Sequence, residues 1–222
     1  MGVQSSAGGR GPIPDISLST PLSLRTSFLF PLQDARSRRE VIIGGLWLLV
    51  PMVGWFMNMG HRIVFVHHMM HGRSPWPAWG QPLVLLKHGL ITWLGMVLYY
   101  APATAVGWWA FQRGSIGLGV AAVLLWIPAT IAIPGYMSHY CRAFDPREIF
   151  NPLRALRRCF EGGTAYWRAW GIALAALALS FAGLLAFGLG FLFTSVWFWQ
   201  VAGFSFATVF TRQFNLAEPE AG

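Results

Sequence analysis

Three stretches of this chain, residues 89–112, 114–138 and 169–211, contain no Asp, Glu, Lys, Arg or His. A helix needs roughly 20 apolar residues to cross the hydrocarbon core of a bilayer. Inside that core, every backbone N–H and C=O must be satisfied by the protein itself. Runs of this length therefore restrict the chain to membrane-spanning helices. The third run is about twice as long as one crossing requires, so it reads as two helices joined by a tight turn near Gly188 and Gly190. Composition agrees: 55% of the residues are hydrophobic and 11% are charged, where a soluble domain carries about 25% charged residues. The expected fold class is an all-α integral membrane protein. Its transmembrane helices are expected at 89–111, 116–136, 170–187 and 191–210.

Residues 41–59 are apolar but interrupted by Gly44, Gly45, Pro51 and Gly54. Proline removes a helix hydrogen bond and crowds the preceding turn. The segment is either one kinked span or a re-entrant hairpin bent near Pro51, each arm of about 9 residues reaching about 14 Å, half of the hydrocarbon core. The basic residues separate the two readings, because their distribution sets the orientation of a membrane protein. A crossing at 41–59 divides the 16 Lys and Arg residues six to ten. A re-entrant hairpin leaves fifteen on one side and Arg113 alone on the other, with all eight acidic residues beside the fifteen. The re-entrant hairpin is the expected arrangement, in the inner (cytoplasmic) membrane with both termini cytoplasmic.

Residues 1–27 are rich in Gly, Ser and Pro and read as a flexible arm without a cleavable leader. Residues 28–214 read as one membrane domain, followed by an acidic tail at 215–222. At its start, Phe28 and Phe30 are expected in the headgroup region, with Arg36, Arg38 and Arg39 in water. Two interfacial amphipathic helices follow from helical spacing. In 61–72, Ile63, Val66, Met69 and Met70 share one face, and His61, His67, His68 and His71 the other. In 151–160, Asn151 can cap and Pro152 suits the first turn; Arg154, Arg157 and Arg158 alternate with Leu153, Leu156 and Phe160. Residues 75–80 form a rigid turn carrying Trp76 and Trp79, which with Trp108, Trp109, Trp167 and Trp170 read as an interfacial aromatic belt.

The order of these features resembles the prokaryotic polytopic membrane family catalogued as domain of unknown function 4013. The resemblance rests on Phe30-Pro31 with Asp34 before the Gly44-Gly45 segment, on Gly60 closing that segment ahead of a basic surface helix, on Pro77-Ala78-Trp79 ten residues before Gly89-Leu90, on Phe144-Asp145 with Glu148, on Tyr166 opening the fourth hydrophobic region, and on Thr194-Ser195 in the last one. It covers about residues 28–214. The chain departs from the family at Gly60-His61, where the family has Gly-Tyr, and at Gly80-Gln81, where it favours acidic residues. The resemblance implies a fold and a membrane location but no activity.

Chemistry-bearing constellations are sparse. His67 and His71 stand one helical turn apart, and with His68 they are the candidate ligands for a metal, a haem or a pigment. No Cys, Asp or Glu nearby completes a site, so no cofactor is predicted beyond bound lipid. Cys141 and Cys159 lack zinc spacing and read as reduced thiols in a cytoplasmic segment. Polar side chains within the spans, Gln200 the most polar, read as packing or helix–helix hydrogen bonds. The net charge of +8 sits beside hydrophobic segments and suits anionic lipid headgroups, not nucleic acid. Arg36, Arg38, Arg39, Arg154, Arg157, Arg158, Trp76 and Trp79 are the expected lipid or partner contacts. The expected function is non-enzymatic: an accessory or scaffold subunit of a larger membrane complex. The alternatives are a transporter whose broken hairpin lines a substrate path, and a pigment- or haem-associated subunit of a photosynthetic or respiratory complex.

Overall fold

The computed structural model describes residues 16–216; residues 1–15 and 217–222, which hold most of the expected arm and tail, lie outside the described residues. The helices in chain order are α1 (Leu24–Leu29), α2 (Ala35–Trp47), α3 (Val53–Met70), α4 (Pro82–Arg113), α5 (Ile116–Ala143), α6 (Pro152–Glu161), α7 (Gly163–Ser180) and α8 (Leu189–Phe214). Among the described residues there is no strand. Four helices are long and apolar enough to cross a membrane: α4, α5, α7 with its 3-10 continuation to Leu185, and α8. The turn expected near Gly188 is there, with Gly188 at φ 78° leading into α8.

α2 and α3 form an antiparallel pair. Asp34 starts α2 by a reciprocal cap: its carboxylate accepts from Ser37 N at 2.6 Å, and Ser37 Oγ accepts from Asp34 N at 3.1 Å. The chain turns at residues 48–52, around Pro51. Across the pair, Asn58 Nδ2 lies 3.0 Å from Gly44 O and 2.8 Å from Gly54 O and donates to both, closing the hairpin with a side-chain amide.

α3 then continues. Residues 61–72 are not a separate surface helix, because α3 runs unbroken through Gly60 to Met70. Gly60 serves contact instead of termination. A Cβ on Gly60 would stand 1.8 Å from Leu85 O, and one on Gly89 would stand 1.9 Å from Phe56 O. These two glycines let the backbones of α3 and α4 touch. α4 packs on α3 and α5, α7 packs on α8, and α3 also reaches α5 and α8.

All four spanning helices extend beyond their apolar runs, α7 beginning at Gly163 and α8 ending at Phe214. α4 begins at Pro82 and α5 ends at Ala143, because their polar ends pack on each other: His88 Nδ1 lies 2.6 Å from Tyr140 Oη, and both rings meet Phe144. α6 matches its expected place, with Asn151 Oδ1 accepting from Arg154 N at 3.0 Å.

Three surface expectations are corrected by burial. Phe30 is fully buried and stacks on Phe204 at 4.5 Å, so it belongs to the core and not to the headgroup region. Trp76 is 3% exposed, wedged against Phe30 and Phe65, so it cannot form part of an interfacial belt. The described part of the arm is docked: Ile16 and Leu18 are buried, Ile16 N donates to Gln33 Oε1 at 3.1 Å, and Arg212 donates to Ser19 O.

Gly89→Ala is expected to lower stability by about 3 kcal/mol, since neither backbone can yield to a Cβ at that crossing. Gly119→Ala, whose Cβ would meet nothing within 4 Å, is expected to be neutral or slightly stabilising. Thermal melts of both variants in mild detergent make the comparison.

Candidate functional site

Helical spacing brings three ionisable groups inside, Glu40, His61 and Arg62. Ser37, Glu40, Val41 and Gly44 recur at three- and four-residue steps on the buried face of α2; Asn58, His61, Arg62 and Phe65 do the same on α3. Glu40 and His61 face each other. His61 Nε2 donates to Glu40 Oε2 at 2.8 Å, and Ala78 N donates to the same oxygen at 3.1 Å. Trp79 Nε1 donates to Glu40 O at 3.2 Å, and its ring stacks 4.2 Å from His61. Trp79 is therefore half-buried and engaged within the protein.

Arg62 is 8% exposed, and among the described residues it has no carboxylate partner. Its Nη2 donates to Met137 Sδ at 3.0 Å, and its guanidinium carbon lies 4.6 Å from the centre of the Trp199 ring. Its stem passes Gly203, where a Cβ would stand 3.0 Å from Arg62 Cγ.

Beside Arg62 lies a cavity of about 360 Å³. It occupies the gap between the α4–α5 pair and the α7–α8 pair, with α3 contributing Arg62, Ile63 and Val66. Met96, Trp126, Ile133, Leu177, Phe198 and Phe206 give it apolar walls. Trp126 is 52% exposed, so the cavity reaches the lipid-facing side of α5. Three further polar features line it: Ser138, the Tyr100–Thr130 hydroxyl pair at 3.0 Å, and the buried Trp170 Nε1, which has no partner among the described residues. Arg62 and Trp199 also line a void of about 20 Å³ against the hairpin, with Leu48, Asn58 and Val196.

The histidines expected to act as ligands lie elsewhere. His67 Nδ1 donates to Cys141 O at 2.7 Å, and its ring stacks on Phe144 at 4.1 Å. His71 Nδ1 donates to His67 O at 2.8 Å, and the rings of His67 and His71 are 4.0 Å apart. His68 Nδ1 is 3.4 Å from Pro75 O. Among the described residues, no group of three His, Cys, Asp or Glu side chains could hold a metal ion. Burial, joined by the nearby His and Arg charges, holds His67 and His68 below the usual imidazole range.

The basic residues divide in two. Arg36, Arg38 and Arg39 are exposed on the first turns of α2. Arg154 and Arg158 both pair with Glu148, and Arg157 pairs with Glu161 at 2.8 Å. Burial raises the Glu148 carboxyl, but these two arginines outweigh it and hold the group below its usual range. Gln200 is 1% exposed, and neither amide atom has a hydrogen-bond partner among the described residues, so it packs without bridging helices.

Glu40, His61 and Arg62 are the site residues that the sequence reading passed over. In the sequence Glu40 stands beside Arg38 and Arg39 and Arg62 stands among histidines, so each reads as one more surface charge. The available signal is the periodicity itself, which places Glu40 on a face with Ser37, Val41 and Gly44, and His61 and Arg62 on a face with Asn58 and Phe65. No family model, no curated protein and no solved structure matches the chain.

Depressed His67 and His68 make stability depend on pH with a definite sign. Below about 6.5 the unfolded chain takes up protons that the folded chain refuses. Their contribution is present above that value and is lost as the pH falls through the lowered folded values. Melting temperatures in mild detergent are expected to fall between pH 7.5 and 5, and less steeply in a His67→Asn/His68→Asn variant.

Proposed function

We propose that the protein is a non-enzymatic, multi-pass protein of the cytoplasmic membrane that holds a lipid-like molecule in the cavity between the α4–α5 and α7–α8 pairs. The observation that carries this reading is the cavity itself: about 360 Å³, apolar-walled and reaching the lipid-facing side beside Trp126. Small-molecule pockets span about 300–1,000 Å³ and combine apolar walls with a few placed polar groups. A transport path for a polar solute is less well supported, since Pro51 lines neither void and the walls are apolar. A haem or pigment seated in the cavity would find no histidine among its lining residues.

A filled cavity tests the reading. A photo-activatable long-chain alcohol is expected to label the cavity walls of the full-length protein. Ala173→Phe, which places a ring where a small wall residue stands, is expected to cut that labelling by about tenfold. Equal labelling of both proteins would overturn it.

The proposed topology is a re-entrant α2–α3 hairpin, four spans and cytoplasmic termini. The 13 residues of α2 reach about 20 Å, short of a bilayer core of about 30 Å. The tip exposes Leu46, Leu49, Val50, Met52 and Val53, side chains suited to lipid. Arg36, Arg38 and Arg39 suit anionic headgroups on the cytoplasmic face. Cys141 and Cys159 are buried, so an introduced thiol reports alone. Ser74→Cys is expected to react with a membrane-impermeant maleimide only after permeabilisation, and Ser115→Cys in intact cells. Labelling of Ser74→Cys from outside would exclude the re-entrant arrangement.

A second reading, an accessory subunit of a larger complex, is favoured by α5. The apolar window of α5 is 11% buried, against 33–44% for the other three spans, so α5 is the span with most surface to offer a neighbour. Membership of the family of unknown function 4013 remains a proposal resting on motif order alone.

A further inference from the structure

The cavity holds a cation, Arg62, that no carboxylate among the described residues neutralises. A buried arginine stays charged, and a charge removed from water without a partner is strongly disfavoured. Glu40 is taken by His61 and Ala78, and Glu148 by Arg154 and Arg158, so neither is at hand for Arg62. The guanidinium offers five N–H donors. Among the described residues one of them meets a thioether, a weak acceptor, and the Trp199 ring covers a face. Among the described residues, the cavity wall also carries the unpartnered Trp170 Nε1 donor and no carboxylate. What this arrangement lacks is an oxyanion.

We infer that the cavity is selective for a single-chain amphiphile with an anionic oxygen head, a carboxylate or a phosphate monoester. The head meets the fork of Arg62, and the hydrocarbon chain lies along the walls made by Met96, Trp126, Ile133 and Phe198. A planar guanidinium matches the two oxygens of such a head with parallel hydrogen bonds. One cation sets one head. A volume of about 360 Å³ lies near the lower bound for small-molecule pockets, which suits a head with the first part of one chain, the remainder leaving through the opening beside Trp126. Gly203 contributes by leaving room for the Arg62 stem, since any side chain there would press on Cγ. This inference rests on the cavity reading proposed above and adds the chemistry of the head.

The test uses the full-length protein in nanodiscs of neutral lipid, with two photo-activatable C16 probes that differ only at the head, an acid and an alcohol. At about pH 8, where the carboxyl is ionised, the wild-type protein is expected to favour the acid by about tenfold or more, the yield of a charge-assisted hydrogen bond in a dry site. Arg62→Gln is expected to remove that preference and keep alcohol labelling, while Arg62→Lys retains part of it. Hexadecyl phosphate is expected to compete and inorganic phosphate alone is not; competition by inorganic phosphate would assign the site to a soluble anion and overturn the amphiphile. Equal labelling of wild type by acid and alcohol would overturn the anionic head and leave the cavity reading standing. Absence of labelling by either probe would overturn both. The wild-type comparison needs no variant, so a misfolded Arg62→Gln leaves the decision intact.

Discussion

A carboxylate drawn into a protein interior must be met by donors, and the way Glu40 is met fixes the frame for everything around it. His61 approaches from α3, the Ala78 amide from the loop before α4, and Trp79 binds the carbonyl of the same residue. Three segments that apolar contact alone would leave free to slide are thereby held in one register. The consequence reaches the cavity through helix geometry. Consecutive residues of an α-helix diverge by about 100°, so once His61 is turned to α2, Arg62 is turned toward α5 and α8, where Met137 and Trp199 receive it. The register that satisfies an acid on one side of α3 presents a base on the other.

The close crossing of α3 with α4 complements this. Hydrophobic packing is non-directional in strength, and lipid tails solvate apolar side chains as well as a neighbouring helix does. Helix pairs inside a bilayer are therefore selected by shape. Gly60 and Gly89 supply that shape by bringing backbone against backbone, and the Asn58 amide clips the hairpin where it would otherwise open. Into the gap between the α4–α5 and α7–α8 pairs α3 puts only Arg62, Ile63 and Val66.

Much of this fold was legible in the sequence, for reasons that also set the limits. Uncharged runs located α4, α5, α7 and α8, since nothing else suits such lengths. Asn151 and Pro152 announced the start of α6, and the broken run around Pro51 announced a turn. The helix ends were not legible from hydropathy: α4 and α5 continue past their apolar runs because His88, Tyr140 and Phe144 pack together, an association that depends on partners distant in the chain. Gly60 was misleading for a related reason. A glycine that ends a helix and one that admits a neighbour look the same until the neighbour is known. Trp76 and Phe30 were assigned to the membrane interface from their residue type, yet each other's rings bury them. The site was least legible, because Glu40 and Arg62 read as two more charges in basic stretches until both faces of α3 were known.

The contacts between the first and last parts of the chain bear on how such a protein is made. Trp197 Nε1 donates to Phe28 O at 3.2 Å, Ser205 Oγ lies 3.0 Å from Ser27 Oγ, Phe30 stacks on Phe204, and Arg212 reaches Ser19 O. During synthesis the segments around Ser27 and Phe30 emerge well before α8. The opening segments must therefore wait in an unfinished state, their eventual neighbours still inside the ribosome. Only when α8 enters the bilayer do Phe28, Phe30 and the start of the hairpin find the surface they are built against, so their assembly waits on a helix made more than 150 residues later.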